Sequence, residues 1–348
     1  MTETVVRRNR IARNADRVGM GAMIIASLCL VALGAHWVSG PMVSVVVLAL
    51  VLVLGSVLGL AVTGGPEARR LLAPYGLLKP GMLWLALFFL APVWSLLRIS
   101  LSTKESRFSV QYNFSWAFQN YSTAFRDFGK QFEHAFVYAA IATVLTILIG
   151  YPLAYFIAFR GGKYRNILLV LVVAPFFTSF LLRTVAWTQI LGDEGPIVST
   201  LKLLPFFDDT LRLTATPIAV VSGLTYNFLP FMTLPLYASL ERIDPRTLEA
   251  AGDLYANGFT TFRKVTVPLS MPGVVAGTLL TFIPAAGDYV NAALLGNPST
   301  KMIGNVIESR FFAVVDYPTA AALSFTLMAT ILILVTLYIR RSGTDELV

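Results

Sequence analysis

Residues 248–268 read Leu-Glu-Ala-Ala-Gly-Asp-Leu-Tyr-Ala-Asn-Gly-Phe-Thr-Thr-Phe-Arg-Lys-Val-Thr-Val-Pro. This polar, glycine-bearing island lies between two long apolar runs, Ala215–Ala238 and Pro272–Leu295. A chain that merely crossed a membrane and returned would need only a short turn there. The island is instead written as two helices. Asp244-Pro245 is a start signal, because Asp caps a helix and Pro suits its first position. Leu248, Ala251 and Tyr255 then share one face. Asn257-Gly258 supplies residue types that end a helix in the left-handed conformation. Phe259, Phe262 and Val265 begin a second apolar stripe, and Pro268 closes it. The small residues Ala250, Ala251 and Gly252 at the centre of the first helix allow another surface to come close. From the residues alone two readings stand: a docking foot for a partner protein, or an amphipathic helix lying on lipid.

Outward from the island, the chain reads as an all-α polytopic membrane protein. It is 56% hydrophobic and 13% charged over 348 residues, where a soluble domain carries about 25% charge. Apolar runs of about 20 residues recur throughout, the length a helix needs to cross a bilayer. They are Gly19–Val38, Met42–Thr63, Pro80–Leu101, Phe132–Phe159, Asn166–Leu191, Ala215–Ala238, Pro272–Leu295 and Thr319–Ile339, a bundle of about eight spans. Ser102–Gln131 reads as a surface loop of interfacial character. The one cysteine, Cys29, rules out a disulfide framework within the chain.

The net charge of +8 follows membrane topology rather than nucleic-acid binding. With the N-terminus in the cytoplasm, the segments on that side carry 17 of the 27 Lys and Arg against 9 of the 19 acids. Lys and Arg accumulate in cytoplasmic loops, so both termini and the coupling segment 239–271 are expected inside. Residues 341–348 form a cytoplasmic tail, and 1–79 a basic leader with an extra transmembrane hairpin.

The island then acquires a likeness. Glu249-Ala250-Ala251, followed by Val267-Pro268-Leu269, resembles the EAA loop of ABC importer permeases. The strings Pro175–Arg183 (PFFTSFLLR), Phe228–Pro235 (FLPFMTLP), Phe282–Asp288 (FIPAAGD), Leu294–Gly296 and Met302–Gly304 resemble the spermidine/putrescine permeases. The match covers residues 80–340. It implies a six-helix permease core, to which 1–79 adds a helical pair, in the inner membrane of a bacterium. It also implies the partners: an ABC ATPase dimer, a second permease subunit and an extracytoplasmic substrate-binding protein. ATP and Mg would be bound by the ATPase and no cofactor by this chain, which has no G-x-x-x-x-G-K-[ST] phosphate loop. Glu249, Ala250, Ala251, Asp253, Tyr255 and Gly258 would form the ATPase-coupling surface. One departure stands out: the family has Gly where this chain has Tyr255. A Tyr takes a positive φ only at a cost, so either the helix runs a turn further or the loop bends elsewhere.

Ionisable groups inside a membrane are costly and default to a functional reading. Arg183 and Asp288 are two such groups, and counting residues along straight helices puts both in the outer third of the bilayer. Two readings stay open: a structural Arg183–Asp288 ion pair, or an Asp288 that faces the pathway and meets a cationic substrate. Pro284 and Gly287 weaken the helix ahead of it, as in transporter sites. Trp187, Tyr226, Phe228 and Tyr289 lie at similar depth and offer cation–π faces to an ammonium group. The competing functions are a permease for a sugar, ferric iron or a phosphonate, and an ion-coupled secondary carrier.

Overall fold

The computed structural model describes residues 88–342, except 90, 105–110, 205–207 and 209. The first two expected spans, the basic leader, the tail 343–348 and the start of the third span lie outside the described residues. The chain divides into two compact units, 1–99 and 100–348. In the first unit, the end of the third span is helix α1, Ala91–Ser100, whose last residue opens the second.

The second unit opens on a small antiparallel hairpin, β1 (Ser102–Lys104) and β2 (Tyr112–Phe114), with Thr103 opposite Asn113. Helix α2 follows, Gln119–Arg160. The expected surface loop is therefore shorter than its sequence suggested, since the helix begins at Gln119 rather than Phe132. At 42 residues it is about 63 Å long, twice the hydrocarbon thickness. It kinks at Phe128 (φ −123°, ψ 16°). The segment before the kink carries Arg126 and Asp127, which pair with each other, while the segment after Phe132 is the apolar run.

Helix α3 (Arg165–Val173) continues through a 3-10 turn, Ala174–Phe177, and breaks. Helix α4 (Phe180–Ile190) resumes at 95° to it. Thr178 and Ser179 at the corner are extended. The short α5 (Pro196–Lys202) lies in the next loop. Helix α6 (Pro217–Glu241) crosses in one piece despite Pro230 and Pro235, and its cap Thr216 accepts from the Ala219 amide. After the island come α10 (Met271–Ala286), α11 (Val290–Leu295), α12 (Ile303–Glu308) and α13 (Tyr317–Ser342). Here α7, α8 and α9 are the island's own helices, Pro245–Asp253, Gly258–Thr261 and Val267–Leu269. Among the described residues, three helices are long and apolar enough to cross a membrane, or up to five if each bent pair is one span. Five is the number of spans expected after residue 130.

Small residues hold the bundle together. Ala135, Ala139, Ala142, Thr146, Gly150 and Ala154 recur three or four apart on one face of α2, and all are buried. They let α6 approach, and α6 packs in turn on α10. In lipid, close van der Waals contact replaces the hydrophobic drive between helices. The opposite face of α2 leaves Ile141, Val144 and Leu148 exposed, as a surface against lipid or another chain requires.

Candidate functional site

The segment expected to form a coupling foot is built as its caps dictate. Asp244 accepts a hydrogen bond from the Arg246 amide at 2.9 Å, and Pro245 occupies the first turn of α7. The helix ends in a way the sequence did not suggest. Tyr255 takes φ +58°. The Tyr255 amide donates to the Gly252 carbonyl at 2.9 Å, and the Ala256 amide reaches back to Ala251 at 3.0 Å. These two bonds are a Schellman closure, with tyrosine in the place glycine normally fills. Neither expected alternative holds: the helix does not run on, and the loop bends at Tyr255 itself. Asn257 does not end α7 either. It lies at φ −72° and caps α8, accepting from the Thr260 amide at 2.8 Å.

The foot has an inner and an outer side. Leu248 packs on the inner apolar cluster of Met232, Leu236 and Leu240, and Ala251 is buried. Ala251 is thus part of the foot's own packing, not of the surface it offers. Tyr255, expected on the same stripe, is 99% exposed. With it stand Glu249, Ala250, Asp253 and Gly258, together with Leu254 and Phe259. Phe262 fixes the foot to α2 through edge contacts with Tyr151 and Tyr155, at 5.6 and 5.9 Å between ring centres. The Tyr151 hydroxyl also shares a hydrogen bond of 2.7 Å with Ser270. Beside it, Arg165 bonds to the Tyr237 hydroxyl and pairs with Glu241. The foot's second half, Gly258–Leu269, runs into α10 with a bend of 62°.

At the far end of α10 lies the second feature. The helix stops at Ala286, and Gly287–Tyr289 form a break before α11. Asp288 is buried there and accepts from the Asn291 amide at 2.8 Å. Its expected pairing with Arg183 is not formed. The two residues are not among the ion pairs of the described residues. The guanidinium lies instead over the rings of Phe176 and Phe180, at 5.1 and 5.7 Å. The depth argument assumed straight helices, and the corner at Thr178–Ser179 redirects α4.

A polar chain that sequence reasoning missed runs beside Asp288. Asn227 on α6 donates to Asn291 at 3.0 Å and to Thr184 on α4 at 3.2 Å. The signal was present: Asn227 stands between two aromatics in an apolar run, and buried amides in membranes bond across helices. Asn305 donates to the Tyr289 carbonyl at 2.7 Å and fastens α12 to the break. Gly304 makes that approach possible, since a Cβ there would sit 2.7 Å from the Asp288 carbonyl oxygen.

The expected pathway residues divide into separate groups. Trp187 and Tyr226 face each other with ring centres 5.4 Å apart. Tyr289 is about half exposed beside Asp288. Phe228 belongs elsewhere, its ring tilted against those of Phe180 and Phe231 on a cavity of ≈ 540 Å³ that Arg183 and Asn227 also line.

Comparison with known proteins agrees with this architecture. Residues 148–342 match the family model described as "Binding-protein-dependent transport system inner membrane component". The spermidine/putrescine transport system permease protein PotB of Haemophilus influenzae is 39% identical over 258 residues, covering 74% of this chain and 90% of that protein. The protein of the same name from Escherichia coli K12 is 36% identical over 260 residues, covering 74% and 94%. Among solved structures, a chain of a bacterial ABC transporter involved in import of the acidic polysaccharide alginate superposes with a TM-score of 0.60. It is 19% identical and covers 79% of this chain and 96% of that one. That likeness speaks to the fold alone. A foot of paired short helices, spans broken at Thr178 and Gly287, and this family match lead to one assignment: the chain belongs to the binding-protein-dependent transport system inner membrane components, as a permease subunit of an ABC importer.

Proposed function

We propose that this chain forms half of the membrane pathway of a polyamine importer and takes its energy from a separate ATPase dimer through residues 239–271. A second permease subunit would complete the pathway, and an extracytoplasmic binding protein would deliver the solute. The observation that carries the reading is the foot's two-sidedness. Leu248 and Phe262 are spent on the bundle and Ala251 on the foot's own packing, while Glu249, Leu254, Tyr255 and Phe259 face outward, outside the core clusters of the described residues. Exposed apolar and aromatic groups of this kind mark a docking surface.

The link from foot to pathway is covalent. Gly258–Leu269 continues into α10, and α10 ends at the break that holds Asp288. At 16 residues α10 is about 24 Å long. A tilt imposed on the foot would therefore reach Asp288 through one helix. Spermidine and putrescine are the solutes that the relatives' names carry. A buried carboxylate beside Tyr289, with the Trp187–Tyr226 pair on neighbouring helices, suits an ammonium group. The docking arm is tested with Glu249→Lys in the complete transporter. Uptake should fall strongly and the ATPase should be lost on purification, while the permease remains in the membrane fraction. Wild-type uptake by this variant would overturn the role given to the foot.

A further inference from the structure

Arg183 has an environment that transport of a cation does not explain. It is 8% exposed, and its Nε and Nη1 are buried without a hydrogen-bond partner. Two aromatic faces, Phe176 and Phe180, attract the guanidinium but accept none of its hydrogen bonds. A buried charge left this way is strongly unfavourable unless a counter-charge reaches it. Among the described residues, the walls of the ≈ 540 Å³ cavity that Arg183 lines carry no acidic side chain.

The same cavity is lined by the start of α4. This helix has 11 residues, and its N-cap Ser179 makes no side-chain capping bond. The first amides of a helix have no carbonyl four residues back, and the helix dipole makes that end favourable for an anion. Thr178 and Ser179, both exposed and both bearing hydroxyls, also line the cavity. Below them Phe177 is 88% exposed, and Val170 and Leu171 of α3 are exposed as well. Donors therefore cluster at the corner, and an apolar wall runs down from it.

We propose that the corner between α3 and α4 is an oxyanion site. It would hold a phosphate group on the Arg183 guanidinium and the first amides of α4, with Thr178 and Ser179 as hydroxyl donors. The group comes either from a phospholipid, whose chains would lie along Phe177, Val170 and Leu171, or from a free anion. Arginine suits it because its planar fork binds phosphate oxygens two at a time. The anion would neutralise a fixed positive charge close to a pathway built for cations. The inference rests on the corner's geometry and does not depend on which solute is carried.

The test uses the complete purified transporter as wild type, Arg183→Gln and Ser179→Ala. Bound phospholipid is counted by mass spectrometry, and the delipidated complex is titrated with inorganic phosphate while its thermal unfolding is followed. If the source is lipid, the wild type keeps one more anionic phospholipid than Arg183→Gln. If the source is free anion, phosphate raises the wild-type unfolding temperature, and Arg183→Gln weakens that binding by at least about tenfold, since each of the fork's charge-assisted hydrogen bonds is worth about that much. Ser179→Ala should show the same loss in smaller measure and replaces Arg183→Gln if that variant does not assemble. A wild-type complex that retains no such lipid and does not respond to phosphate overturns the proposal.

Discussion

Tyr255 holds a backbone conformation that glycine adopts freely, and its ring stands almost wholly in solvent. The left-handed region costs a residue with a Cβ about 1–2 kcal/mol, and nothing in the foot's own packing recovers it. Such strain persists where function uses it. Tyr255→Gly should therefore tighten the foot, seen as slower amide hydrogen exchange across residues 250–262, and yet retain less ATPase on purification. Tyr255→Asn, which tolerates the same conformation without the ring, should lose ATPase equally. Full retention by both variants would mean that the ring has no partner. Gly304 makes the opposite case. A Cβ there would meet backbone oxygens of Gly287 and Asp288 at 2.8 and 2.7 Å, and backbone cannot swing aside. Gly304→Ala is expected to displace the break and lower uptake severalfold while leaving ATPase association unchanged. Sequence alone disclosed Tyr255 as an oddity but not its solution. The cost of a positive φ argued against the conformation, and only the closing bonds to Ala251 and Gly252 reveal that it is adopted. Asn257 was misread for a related reason: asparagine serves both at helix ends and at helix starts.

At the scale of elements, the foot works only if it moves α10 and not merely itself. On the proposed mechanism Phe262 would serve as the hinge pin, since its ring meets Tyr151 and Tyr155 of α2 edge-on. Aromatic edge contacts contribute about 0.5–1.5 kcal/mol each, so Phe262→Ala should loosen the foot without unfolding the bundle. ATP hydrolysis should continue, and uptake per ATP should drop. Unchanged coupling would place the mechanical link elsewhere. The element boundaries show what a hydropathy pattern can carry. Residues 217–241 and 317–342 came out close to their apolar runs because each is one unbroken helix. The run Asn166–Leu191 is equally apolar, but its backbone turns through 95° at Thr178–Ser179. Hydropathy reports what the side chains face and is silent on where the backbone bends. That corner is also why the expected Arg183–Asp288 pair is absent, and why Phe228 sits with Arg183 rather than with Asp288.

For the whole molecule, the account joins an outward-facing foot at one end of the bundle to a buried carboxylate at the break beyond α10. The family assignment was legible from short strings at both ends of this path, around Glu249 and around Asp288. The polar chain Asn291–Asn227–Thr184 was not, because its members lie on three different helices and meet only in the fold. The bundle leaves Val144, Leu148 and Ile149 of α2 and Leu332, Ile333 and Leu337 of α13 uncovered, as a subunit that shares its membrane with lipid requires. The central claim is that this subunit passes a polyamine, driven by ATP through a partner. It is tested most directly by ATP-dependent uptake of labelled spermidine into vesicles holding the complete transporter, with competing solutes added outside. The account predicts that putrescine competes, that a neutral sugar does not, and that Asp288→Asn lowers uptake at least severalfold. Uptake blocked by the sugar and unaffected by putrescine, or full spermidine uptake by Asp288→Asn, would contradict it.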